Sequence, residues 1–126
     1  MRTIKFRGKS ILTDEWFYGD LVHSADKKRT AILVNDKDSY DECEVDPETV
    51  GQYTGVPDKN GTKIFEGDIV EILTENEEIG VVEYDDGGFQ IESDGFIVDF
   101  HTNINGTDLE VIGNIHDNPE LLEGGE

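Results

Sequence analysis

Residues 45–70, VDPETVGQYTGVPDKNGTKIFEGDIV, specify their backbone path more tightly than any other stretch of this chain. Three turn signals follow one another there. Asp46-Pro47 opens a helical turn, Val56-Pro57-Asp58 opens a loop, and Asn60-Gly61 closes a hairpin. The apolar pieces between them, Val50 with Tyr53 and then Ile64-Phe65, have to be buried against the segments before and after. The stretch is therefore a hub and not a linker.

On either side of the hub the apolar residues come in short runs punctuated by turns. Residues 3–7 alternate Ile4 and Phe6 with polar side chains, the period of a half-buried strand. Residues 16–22 carry apolar groups on both faces, with Gly19 at a point where a bulge or a close neighbour is expected. Residues 30–34 return from a polar loop holding Lys27-Lys28-Arg29, and residues 40–45 form an acidic strand suited to a sheet edge. Asp46 is placed to cap a short helix begun by Pro47, which Gly51 limits to one or two turns. Beyond the hub, residues 69–73, 80–84, 89–92, 96–100 and 109–112 read as five strands. Asp86-Gly87-Gly88, Asp94-Gly95 and Asn105-Gly106 supply turns between them.

The fold class expected is mainly β: one domain, residues 1–126, containing a small SH3-like barrel with short helical turns. Lobes at 1–63 and 64–118 would share the hub, with 119–126 as a tail. Trp16, Tyr18, Phe65, Val82, Phe96, Val98 and Phe100 are the expected core residues.

Charge divides the chain as clearly as the turns do. All ten Lys and Arg lie at or before Lys63, where twelve acidic residues leave a balance of −2, whereas residues 64–126 carry eighteen acidic residues and no basic one. A segment of charge −18 is repelled by nucleic-acid backbones and anionic lipid, so its natural partners are basic surfaces or cations. The three-residue basic cluster is too short and too far from aromatics to offset this, and it reads as a solvated loop tip. No run approaches the ~18 apolar residues that span a bilayer, and the N-terminus lacks an apolar signal core. A cytoplasmic protein that does not bind membranes is expected.

Catalytic and metal motifs are missing. His23, His101 and His116 have no partner at metal-ligand spacing, and no nucleophile elbow, HExxH, phosphate loop or dinucleotide fingerprint occurs. Carboxylates are too abundant for any pair to stand out as acid and base. Cys43, the single cysteine, sits between Glu42 and Glu44, whose charges should raise its thiol pKa and leave it inert. No catalytic residue, metal ligand or cofactor is assigned, and no enzyme activity is expected. An interaction surface is expected at Glu71, Glu75, Glu77, Glu78, Glu83, Asp85, Asp86, Glu92 and Asp94.

The hub sequence TVGQYTGVPDKNGTKIFEGDIV resembles the signature of the YopX family, small proteins of bacteriophages and prophages. The resemblance extends to KFRGK and WFYGDLV near the start, GVVEYDDGGF in the middle and LEVIGNIHDNPELL near the end. It implies a mainly β fold with an SH3-like element and a phage or prophage origin, and it implies no activity. Gly51, Gly55, Asp58, Asn60, Gly61, Gly67 and Asp68 match the family's pattern and are residue types that turns and caps require. The function expected is that of an accessory protein acting as a protein-interaction module. Its partner would be a basic host or phage protein, or a second copy of the chain. One alternative is an acidic mimic of nucleic acid that occupies a basic host protein; a carboxylate-dependent hydrolase is the weaker one.

Overall fold

A computed structural model describes residues 5–36, 39–73, 78–85, 88–93, 96–99 and 108–122. The chain divides into two compact units, Met1–Tyr53 and Thr54–Glu126. Both are antiparallel β structures, and the helices among the described residues are two short 3-10 turns.

In the first unit, β1 (Phe6–Lys9), β2 (Trp16–His23), β3 (Thr30–Asp36) and β4 (Ser39–Val45) are joined by successive hairpins, and β4 lies at the edge as its acidic sequence suggests. The start of β5 (Gly51–Pro57) pairs with the free side of β1, Phe6 opposite Gln52 and Arg7 opposite Gly51. Just past β1, Ser10 bridges Val45 of β4, so the array curls back on itself. Ile32 and Val45 are fully buried in this unit.

The turn at Asp46-Pro47 forms as its residues dictate. The first 3-10 helix, η1, is Pro47–Thr49; the Asp46 side chain accepts the Glu48 N–H, and the Lys9 N–H donates to the Thr49 hydroxyl at 2.8 Å. A helix this short has spare polar groups, and β1 takes up one of them.

The second unit begins with the end of β5, which neighbours β6 (Lys63–Phe65). Then β7 (Asp68–Ile72), β8 (Glu78–Asp85), β9 (Gly88–Ser93) and β10 (Phe96–Asp99) form a meander. β11 (Leu109–Asn114) returns to the open side of β7, giving the order β10-β9-β8-β7-β11, and η2 (Pro119–Leu122) follows. One face of this sheet carries Val70, Ile72, Val82, Phe89, Ile91 and Leu109, packed with Ile64 of β6 and Val56 of β5. Burying these side chains contributes roughly 1.5–3 kcal/mol each before entropy is counted.

Several expectations change. The sheet is not a closed barrel: β11 pairs with β7 and β10 with β9. Closure is not needed to bury the apolar face, because Ile64 and Val56 already cover it. The change of unit falls at Tyr53/Thr54, ten residues before the 63/64 lobe boundary suggested by charge, because the hairpin from β5 to β6 belongs with the second unit. Phe65 and Val82 are core residues as expected, but Trp16 is only half-buried and Tyr18 is 41% exposed. The β2 face that meets Ile32 is the one bearing Gly19, and alternation turns Tyr18 the other way. Trp16 instead lies under the Arg7 guanidinium, 4.7 Å from its ring centroid. The side chains of Phe96 and Val98, all of Phe100, and the turns at Asp86-Gly87, Asp94-Gly95 and Asn105-Gly106 lie outside the described residues.

Candidate functional site

The hub's polar residues prove to be fasteners. Asp58 is 6% exposed and accepts three backbone N–H bonds: Asn60 and Thr62 on one oxygen, at 2.8 and 2.9 Å, and Val111 of β11 on the other, at 2.9 Å. Burial pushes the Asp58 carboxyl up, but the three amides, Val111 first, and the Lys59 charge outweigh it and hold the group below the ordinary carboxylate range. The adjacent Lys59 N–H donates to the Leu109 carbonyl at 3.0 Å, so the hairpin is tied to β11 twice. Asp68, 2% exposed, accepts the Phe65 N–H at 2.7 Å across the β6–β7 turn. Gly55, Gly61 and Gly67 take φ values of 90°, 86° and 93°, the region that glycine occupies without strain. Asn60, exposed, contributes its backbone N–H, and Gly51 is buried beside β1. The family-patterned residues are thus occupied in building the hub.

The C-terminal motif has a similar explanation. In GNIHDN the Asn114 side chain accepts the His116 and Asp117 N–H groups, and the Asn114 N–H donates to the Asn118 side-chain oxygen. This loop is closed by its own asparagines. Cys43 has its thiol pKa raised, by burial first and then by the charges of Asp41 and Glu15; the flanking Glu42 and Glu44 are not the cause. Alternation along β4 explains the difference, since immediate neighbours point to the opposite face.

What remains for function is the surface. Cross-strand pairing sets Glu71 opposite Glu110 and Ile79, Val81 opposite Glu92, and Glu83 opposite Gln90. With strand alternation, Glu71, Glu83, Glu92 and Glu110 therefore share the face opposite the core cluster. With neighbouring strands about 4.8 Å apart and same-face residues about 6.8 Å apart along a strand, this acidic field consists of two pairs, Glu71 with Glu110 and Glu83 with Glu92, about 12 Å apart across Ile79 and Val81. Apolar side chains stand among them: Ile79 is 39% exposed and Ile97 54%, with Val81 half-buried between. Ile69, on the same face, is fully buried, whereas Glu71 beside it on β7 and Glu110 on β11 are half-exposed.

Of the expected surface residues, the structure brings Glu71, Glu83 and Glu92 onto this face. Glu78 is exposed at the start of β8 on the other alternation, opposite Ile72. Glu75, Glu77, Asp86 and Asp94 lie outside the described residues, as does the side chain of Asp85. Glu110 was not expected there; its place follows from the alternation of LEVIGN once β11 is paired with β7, and it meets Lys59 at 3.5 Å. Among the described residues no three His, Cys, Asp or Glu side chains converge as a metal site. No helix among them is long and apolar enough to cross a membrane.

Fold and sequence together define a small two-unit β protein of a known family. The chain belongs to the YopX protein family, whose model matches residues 5–123. The crystal structure of protein YopX from Bacillus subtilis is similar over 100% of both chains, with TM-score 0.63 and 23% identity. That of protein EF1440 from Enterococcus faecalis is similar over 97% of this chain and 99% of that one, with TM-score 0.58 and 22% identity. At these identities the likeness is one of fold. No curated protein matches the chain.

The carboxylate field has a consequence for stability. Repulsion among like charges at these spacings opposes folding and is screened by salt, with a Debye length near 10 Å at 0.1 M and about 3 Å at 1 M. The melting temperature is expected to rise as sodium chloride goes from 20 mM to 1 M, a range spanning those screening lengths. A flat or falling profile in differential scanning calorimetry would show that the fold already relieves the repulsion.

Proposed function

We propose that this protein is a non-catalytic interaction module of a phage or prophage, working in the cytoplasm. Its acidic sheet face would bind a basic, partly apolar protein surface. The observation that carries this reading is the mixture on one face: Glu71, Glu83, Glu92 and Glu110 interspersed with Ile79, Val81 and Ile97. Carboxylates steer and orient a basic partner, while exposed aliphatic groups supply contact area that charge alone does not. The family resemblance supports the phage or prophage setting.

Mimicry of nucleic acid is favoured by the absence of Lys and Arg after Lys63. A pure mimic has to array charge at a density comparable to a duplex, one per ~1.7 Å of axis, and the apolar row interrupts any such array. The protein-partner reading therefore ranks first. Neither reading calls for a catalytic residue. Turnover in an esterase, phosphatase or nuclease screen that vanishes on changing one carboxylate would replace both with a hydrolase.

The test is affinity capture from host lysate at 50 and 500 mM salt, using the natural chain and the Glu71→Lys/Glu92→Lys variant. The expected partner is basic, is lost with the variant, and weakens in high salt without disappearing, since apolar contacts remain. Capture abolished by salt and competed by DNA would favour mimicry. A partner retained equally by the variant would sink the assignment of this face.

A further inference from the structure

Apart from the acidic sheet face, the unit Met1–Tyr53 has a pocket of about 240 Å³ at the base of the β2–β3 hairpin. Val22, Ala25, Arg29, Ala31, Glu42 and Glu44 are among the residues lining it. The register explains why a hollow forms here. Val22 pairs with Ala31 and Ala31 with Glu44, so three strands place these side chains in one cross-strand row, and Glu42 stands two residues along β4 on the same face. Ala31, the smallest of them, makes the floor, and its taller neighbours make the walls.

The rim is held in place by its own bonds. The Ser24 N–H donates to the Arg29 carbonyl at 3.0 Å and the Arg29 N–H to the Ser24 hydroxyl at 3.1 Å. Asp26 accepts from the Ser24 hydroxyl and from the Lys28 N–H. A pocket whose edge is fixed before binding spends less of the interaction on ordering itself.

Charge then selects the occupant. The lining holds two carboxylates, Glu42 and Glu44, against one guanidinium, Arg29, so negative charge outnumbers positive by one. A cation is favoured, and the floor of Val22 and Ala31 favours carbon next to it. The volume lies below the ~300–1,000 Å³ of pockets for drug-sized ligands, so the occupant is small. We propose that this pocket binds an aliphatic primary ammonium, its head at Glu42 and Glu44 and its short carbon chain over Val22 and Ala31. A free diamine and a lysine side chain present the same group.

The experiment is a two-dimensional ¹⁵N NMR titration of the full chain with 1,4-diaminobutane, with N-acetyl-lysine N-methylamide as the second arm. Saturable shifts confined to the amides around Val22, Ala31 and Glu44 are expected. Saturation by the diamine alone identifies the free amine as the source, and saturation by both identifies a lysine side chain as well. Glu42→Gln/Glu44→Gln is expected to weaken binding about tenfold or more, the loss of a charge-assisted contact. Ala31→Leu, which fills the floor, is expected to abolish it. If Ala31→Leu fails to fold, as judged by dispersion of its spectrum, the double Gln variant on the partly exposed β4 still decides. Shifts of equal size from sodium chloride at matched ionic strength, shifts spread over carboxylates of both units, or a double Gln variant that binds unchanged would each overturn the proposal.

Discussion

Asp58→Ala is expected to lower the melting temperature by about 10 °C. The carboxylate accepts three backbone N–H groups, and hydrogen bonds to a charged acceptor are worth about 1.5–3 kcal/mol each where water cannot substitute. Asn60 and Thr62 are exposed and their amides can recover water; Val111 is half-buried and recovers less. A total of roughly 3 kcal/mol follows, and for a chain of this size each kcal/mol moves the midpoint by about 3–4 °C. Asp58→Asn should fall between, since its amide NH₂ would face one of the donors. The pH dependence has a definite sign. The folded-state pKa is depressed, so the contribution is fully present above the unfolded carboxyl's value of about 3.9 and is lost as pH falls through the folded value. The difference in melting temperature between the natural chain and Asp58→Ala should be constant from pH 7 to about 5 and shrink below about 4. A difference that persists unchanged at pH 2.5 would show that Asp58 acts by packing and not as a charged acceptor.

Gly19→Ala should be the most damaging single-methyl change in the first unit. A Cβ at Gly19 would lie 2.2 Å from the backbone oxygen of Leu33 and 3.0 Å from its carbonyl carbon. Because the obstacle is main chain and not a rotatable side chain, β2 and β3 must move apart at the end of their ladder, beside the Asp20–Leu33 pair. The expected cost is about 3 kcal/mol, the upper part of the overpacking range. Gly88→Ala is the matched control. No atom lies within 4 Å of its Cβ position and its backbone is not left-handed, so a change within about 0.5 kcal/mol is expected. Urea midpoints of the two variants decide the matter, and equal midpoints would mean that the β2–β3 ladder adjusts freely.

Sequence carried a good part of this architecture, for reasons visible residue by residue. Asp46-Pro47, Asn60-Gly61 and the short apolar runs of β2, β3 and β8 declare themselves through local restrictions on the backbone. β5 does not. Its sequence GQYTGVP holds two glycines and a proline, and it becomes a strand because β1 offers it a ladder, the Tyr53 N–H donating to the Lys5 carbonyl at 2.7 Å. The open sheet was hidden for a related reason. Five strands alone would have to close to bury their apolar face, and only the packing of Ile64 and Val56 shows that they are not alone. At the surface, the acidic residues were legible as a group, but selecting Glu71, Glu83, Glu92 and Glu110 requires the register between strands. Asp58 could be assigned to a turn from its neighbours; that it also holds β11, 53 residues onward, could not.

The placement of β11 beside β7 bears on how the protein is made. Leu109 pairs with Ile72, a separation of 37 residues, and β7 with its buried Ile69, Val70 and Ile72 has β8 as its only earlier neighbour in the sheet. At ribosomal rates of ~5–20 residues per second, the far edge of β7 waits on the order of a few seconds before its partner is even synthesised. An apolar strand edge is a template for another chain, and polysomes hold many copies of the same nascent segment close together. Every residue translated during that interval is uncharged or acidic, so neighbouring nascent chains repel one another through the period in which β7 is most adhesive.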